Sequence, residues 1–129
     1  MPRDLRILLI DDEEELVATL AERLELRGFS VDYALDGLNG VDRVRKKDYD
    51  VLVVDVMMPG MNGLEVLAET RRLRPDLPVI LLTGRGDGQD NESGLRLGAF
   101  DYIMKPVNID RLIEIMQKAV DSHDAPSGQ

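Results

Sequence analysis

Residues 51–63 read Val51-Leu52-Val53-Val54-Asp55-Val56-Met57-Met58-Pro59-Gly60-Met61-Asn62-Gly63, and this stretch decides the fold. Val51–Val54 are four consecutive apolar residues, most of them β-branched. A continuous apolar run of this length marks a strand covered on both faces, as parallel strands are. Pro59-Gly60 suits the central pair of a type II turn, whose second position takes the positive φ that glycine accepts. Asn62, with Glu65 three residues on, can cap a helix predicted over about 63–73.

Outward from this unit the same alternation repeats. Toward the N-terminus, Ile7-Leu8-Leu9-Ile10 is a short apolar run ended by acidic residues. From Glu13 to Arg27 the spacing turns helical, with Leu16, Val17, Leu20, Ala21 and Leu24 on one face and Gly28 as the stop. Phe29 to Ala34 alternates like a strand. Residues 37–47 form a second helix with Leu38, Val41 and Val44 inward, which Gly40 weakens. Toward the C-terminus, Pro78 to Leu82 is another apolar strand. The polar stretch 84–98 holds five glycines, each unfavourable in a helix by about 1 kcal/mol relative to alanine, and reads as a weak helix at best. Phe100 to Met104 is the last strand, and Asn108 can cap a final helix carrying Leu112, Ile113, Met116 and Val120. Five strand–helix units predict an α/β domain with a parallel sheet, right-handed crossovers and helices on both faces. That domain is predicted over 1–120, and the polar residues 121–129 read as a disordered tail or a linker stub.

In open parallel sheets, ligands bind beyond the carboxyl ends of the strands. Those ends carry Asp11 and Asp12, Asp55, Thr83 and Lys105, while the second strand ends blandly at Ala34-Leu35. Three neighbouring carboxylates repel one another, and burial would force a proton onto at least one of them. A divalent cation removes that conflict, and Mg²⁺ suits the set because it prefers oxygen ligands. The Lys105 ammonium and the Thr83 hydroxyl could then stabilise charge on a phosphoryl group, leaving one carboxylate as the nucleophile of an acyl phosphate. Each residue alone has an ordinary reading. Acidic residues such as Asp11 to Glu15 favour a helix start, and Asp12 with Glu15 resembles a capping box. Asp55 could form a turn, Thr83-Gly84 a loop entry, Lys105 a solvated amine and Pro106 the start of a helix. Their joint placement at the strand ends carries the functional reading. The single histidine, His123, falls in the tail and is assigned no role.

Composition narrows the field further. A chain of 129 residues with 43% hydrophobic content suits one packed domain. The absence of cysteine excludes a disulfide framework, a thiolate metal site and cysteine catalysis. A formal net charge of −9 argues against direct binding of nucleic acid. The N-terminus lacks a secretory core and no segment approaches the ~20 apolar residues of a membrane span, so a cytoplasmic protein with no membrane association is expected.

The sequence resembles the receiver domain of bacterial two-component response regulators over residues 5–120. The matching stretches are Ile7–Glu13, Val53–Gly63, Leu81–Gly84 and Gly98–Pro106, with the acids, Thr83 and Lys105-Pro106 in order. The resemblance implies a flavodoxin-like (βα)5 fold with strand order 2-1-3-4-5. It implies that Asp55 takes a phosphoryl group from a histidine kinase or a histidine phosphotransfer protein. Asp12 would bind Mg²⁺ directly and Asp11 mostly through water, with Asp55 and the Met57 carbonyl completing the protein ligands. Thr83 and Lys105 would contact the phosphoryl group, and Tyr102 would be the switch aromatic that follows Thr83. Pro106 would follow a cis peptide that orients Lys105, with Pro59 and Gly60 shaping the loop behind Asp55. Met57 and Arg85 should border the path of the hydrolytic water and so tune dephosphorylation. Contacts to a downstream protein target or a detached output domain, or a homodimer, would use the face of helix four, strand five and helix five.

Three rival readings have distinguishing residues. An aspartyl phosphohydrolase usually offers a second Asp two residues after its nucleophile, where this chain has Met57, so turnover of external substrates is not expected. A flavin module needs a Ser/Thr/Gly-rich loop after the first strand, where Asp11 to Glu15 stand instead. An unphosphorylated interaction module would be expected to lack Asp12, Asp55 or Lys105, and all three are present.

Overall fold

The computed structural model describes residues 5–84 and 88–124. Strands β1 (Arg6–Ile10), β2 (Ser30–Ala34), β3 (Val51–Asp55), β4 (Val79–Thr83) and β5 (Asp101–Met104) alternate with helices α1 (Glu14–Leu26), α2 (Gly37–Lys46), α3 (Gly63–Leu73), α4 (Gly88–Arg96) and α5 (Ile109–Asp124). The strands form one parallel sheet in the order β2-β1-β3-β4-β5, the flavodoxin-like doubly wound arrangement. β3 lies at its centre and is buried along its whole length, as its unbroken apolar run requires. β2 is an edge strand and only its last residue is buried, which explains its alternating sequence.

The sheet separates two apolar layers. On one face Ile7, Leu9, Val51, Val53, Ile80, Leu82 and Ile103 pack beneath α1 and α5. On the other, Leu8, Ile10, Leu52, Val54, Val79 and Leu81 pack beneath α2 and α3, with Tyr102 partly buried against them. Successive strand residues alternate between the layers, so a strand-end side chain inherits the face of the residue two before it.

Several local expectations are corrected. Leu16 and Leu38 do not face the core; Leu38 is 71% exposed. The buried stripe of α1 is Val17, Leu20, Ala21 and Leu24, set one position later than Leu16 would place it. In α2 the stripe is Gly37, Gly40, Val41 and Val44, and Gly40 sits directly against Ile10. This glycine, unfavourable for the helix by propensity, marks its inner face. α4 is a formed helix of nine residues despite its glycines, but its buried positions are only Asn91 and Gly94. Leu95 and Leu97 are turned outward, and among the described residues the buried Asn91 Oδ1 has no hydrogen-bond partner. α5 continues through Asp124, past the boundary expected at residue 120, because no Gly or Pro interrupts Asp121–Asp124. Residues 125–129 of the expected tail lie outside the described residues.

The β3–α3 connection is held by close approach. A Cβ on Gly63 would stand 2.5 Å from the Asp55 carbonyl oxygen and 2.7 Å from the Val56 Cα, both backbone atoms that cannot swing aside. Gly63→Ala is expected to lower stability by about 2 kcal/mol in urea denaturation, more than its gain in helix propensity returns. An unchanged midpoint would contradict this packing.

Candidate functional site

The register of the sheet assembles the site. Ile10 pairs with Val54, so Asp11 and Asp55 each stand one residue further along neighbouring strands. Both follow in phase with the α1/α5 layer, through Leu9 and Val53, and Lys105 follows Ile103 on the same face. Asp11 and Asp55 are buried, and Lys105 reaches them from the β5–α5 connection, in which the Lys105–Pro106 peptide is cis.

Lys105 Nζ lies 3.1 Å from Asp11 Oδ2, 3.3 Å from Asp55 Oδ2 and 3.1 Å from Glu13 Oε1. The Met57 N–H donates to Asp55 Oδ1 at 3.4 Å, a long bond, and the Glu13 N–H donates to Asp11 Oδ1 at 3.0 Å. Burial, then the charge of Asp11, pushes the Asp55 carboxyl up to about 6 from 3.8, against the opposing pull of Lys105. Burial alone would lower Lys105. Its bonds to Glu13 and Asp11 and the charges of Asp11 and Asp55 outweigh that and raise it. The ammonium is thus held in its charged form, yet one cation leaves the site short of positive charge.

Asp11, Asp12 and Asp55 each offer a carboxylate oxygen, and these atoms lie within 4.8 Å of one another. A set of hard oxygen donors with excess negative charge fits a divalent cation. The capping box imagined for Asp12 and Glu15 does not form. The N-cap of α1 is Glu13, without a side-chain cap bond, so the Asp12 carboxylate is not occupied at the helix end.

The remaining predicted residues divide. Thr83 is adjacent in register, since Asp55 pairs with Leu82, but its buried hydroxyl donates to the Ile103 carbonyl at 3.5 Å, a weak bond. Thr83 follows Leu81, and Leu81 pairs with Tyr102, so Thr83 and Tyr102 share the α2/α3 face of neighbouring strands. The Met57 side chain is exposed. Gly60 has φ 74°, the conformation the turn demands, and Asn62 and Glu65 close the expected capping box. Arg85 lies outside the described residues. Glu13 was not anticipated as part of the site. Its one sequence signal is an acid in a helix-entry position that Ser, Thr, Asp or Asn would serve better. A cleft of about 460 Å³ opens at the opposite end of the sheet near Arg6, Tyr49 and Arg74, where the charges pair as Arg74–Asp48 at 3.0 Å and Lys47–Asp32 at 2.8 Å.

Residues 7–117 match the family described as the response regulator receiver domain. The chain belongs to that family. As a receiver domain it is a signalling switch of two-component systems. It is 46% identical over 108 residues to the transcriptional regulatory protein TcrA of Mycobacterium tuberculosis, covering 84% of this chain and 43% of TcrA. This receiver chain spans about half the length of the curated relatives it matches. A receiver domain protein of Clostridium thermocellum superposes with a TM-score of 0.89 at 30% identity, covering 93% of this chain and 97% of that one. A CheY-like receiver domain protein of Methanospirillum hungatei gives 0.89 at 30% identity, covering 95% and 98%. Among the described residues no helix is long and apolar enough to cross a membrane.

The raised Asp55 value has a signed consequence for stability. Because the fold binds this proton more tightly than the unfolded chain does, the contribution is fully present below 3.8 and is lost as pH rises through about 6. Asp55→Asn carries no charge to lose. It should melt several degrees above the native protein at about pH 7.5 without metal, and the gap should close near pH 4. A native protein that melts higher than the variant at neutral pH would contradict the crowding of these carboxylates.

Proposed function

We propose that this receiver domain accepts a phosphoryl group on Asp55, with Mg²⁺ held by Asp11, Asp12, Asp55 and the Met57 carbonyl. The donor would be a phosphohistidine on a histidine kinase or a histidine phosphotransfer protein. The observation that supports this most is the meeting of Asp11 and Asp55 on one Lys105 ammonium, within 3.3 Å, beside the Asp12 carboxylate. An Asp55 oxygen attacks phosphorus, the P–N bond breaks, and an acyl phosphate forms as the imidazole leaves. When bound, the cation supplies charge neutralisation for the transferring oxygens. Lys105, fixed in direction by its connection, supplies a second positive charge to the phosphoryl group. A phosphatase-like turnover of external substrates is not proposed, since Met57 stands where an acid–base catalyst would be needed.

The response is assigned to Thr83 and Tyr102. A phosphoryl oxygen near Asp55 offers the Thr83 hydroxyl a charged acceptor in place of its long bond to Ile103, and charged acceptors bind more strongly. The space Thr83 leaves lies on the face it shares with Tyr102, so the ring can turn inward. That movement would alter the α4, β5 and α5 surface, where α4 is anchored only through Asn91 and Gly94. The surface would present the signal to a downstream protein, to an output domain, or to a second copy of the chain. The curated relatives called transcriptional regulators are about twice as long. We infer that any contact with nucleic acid would belong to a further domain, not to these acidic residues.

Incubation with Mg²⁺ and acetyl phosphate should add one phosphoryl group to the native protein in intact mass measurement and none to Asp55→Asn. Equal labelling of both would remove Asp55 from this role. In the same assay, Met57→Asn and Arg85→Ala should shorten the lifetime of the phospho-form several-fold, by opening the path of the hydrolytic water. Unchanged decay in both variants would count against that tuning role.

A further inference from the structure

We propose that Glu13 is a positioning residue that takes up the Lys105 ammonium when Asp11 and Asp55 turn to a divalent cation. The inference rests on the reading of the three aspartates as a cation site. Three carboxylates surround Lys105 Nζ, at 3.1 Å (Asp11), 3.1 Å (Glu13) and 3.3 Å (Asp55). Two of them also belong to the cluster whose oxygens could hold a metal, and Glu13 does not. A cation arriving at Asp11 and Asp55 competes with Lys105 for both anions and repels it. Among the described residues Glu13 is then the one anionic partner of Lys105 that the cation does not claim.

The local structure of Glu13 supports this role independently. It occupies the N-cap of α1, with φ −85° and ψ 92°, yet its side chain makes no cap bond. Glutamate is a poor choice for capping, and here the carboxylate leaves the helix to meet a residue 92 positions away in sequence. A departure from the local rule that brings a long-range contact to a site is what a functional constraint leaves behind. The main chain of the same residue steadies the site from the other side, since the Glu13 N–H donates to Asp11 Oδ1 at 3.0 Å. One residue thus fixes the orientation of a metal-binding acid through its backbone and the direction of the lysine through its side chain. Exposed as it is, the Glu13 carboxylate can hold Lys105 without closing the approach to Asp55.

Mg²⁺ affinity measured by titration calorimetry on the unphosphorylated chain tests this in a double-mutant cycle. Glu13→Gln should weaken Mg²⁺ binding about fivefold, because Lys105 then competes for Asp11 and Asp55 with nowhere else to go. In a Lys105→Gln background, which has no competing ammonium, the same Glu13→Gln change should alter affinity by less than about twofold. Melting curves in chelator establish that each variant is folded, and Lys105→Met replaces Lys105→Gln if the latter is not. An equal loss in both backgrounds would reduce Glu13 to a nearby negative charge and overturn the proposal, as would an unchanged affinity in Glu13→Gln. A native chain that binds no Mg²⁺ would overturn the cation-site reading itself, and is recognisable before any variant is compared.

Discussion

More anionic charge meets at the carboxyl end of this sheet than one lysine can balance. Asp11 and Asp55 emerge from adjacent parallel strands one residue beyond a register pair, buried and on the same face, with Asp12 beside them. Burial and mutual repulsion drive the Asp55 carboxyl up to about 6, while the same neighbours hold Lys105 firmly charged. A fold that keeps such a group destabilised needs the rest of its structure to enforce the geometry. The remainder of the molecule is organised to do so.

That enforcement comes from the two apolar layers and from the connections that leave the strands. β1, β3 and β4 are almost wholly buried, so the strand ends cannot spread apart to relieve the repulsion. Behind Asp55, the positive-φ Gly60, the Asn62–Glu65 capping box and the bare Cα of Gly63 press the loop close to the strand end. The neighbouring α4 is held less tightly. α4 buries Asn91 and a glycine where other helices bury valine and leucine, and Leu95 within it and Leu97 just past its end are exposed. Packing is thus tight around the acids and looser around α4, and in the proposed function the first part holds the charge while the second responds to it.

Much of this was legible in the chain. Strand positions followed from unbroken apolar runs, and the acids, Thr83 and Lys105 could be placed at the strand ends without knowing any contact. The exposure of Leu16 and Leu38 was not legible, because hydrophobic spacing fixes a helical stripe only to within about one position. Gly40 was misleading for a related reason: its low helix propensity is a local property, and its closeness to Ile10 a tertiary one. Propensity also underestimated α4. The contact of Glu13 with Lys105 was out of reach, since acidic residues at a helix start have an ordinary explanation and only coordinates show that the cap bond is missing.

Of the three crowded carboxylates, Asp55 is the proposed nucleophile. Borohydride reduction of the phosphorylated protein converts an aspartyl phosphate to homoserine, and peptide sequencing by mass spectrometry then gives its position. Homoserine is expected at residue 55, with Asp11 and Asp12 recovered unchanged. Homoserine at residue 11 or 12, with Asp55 intact, would contradict it.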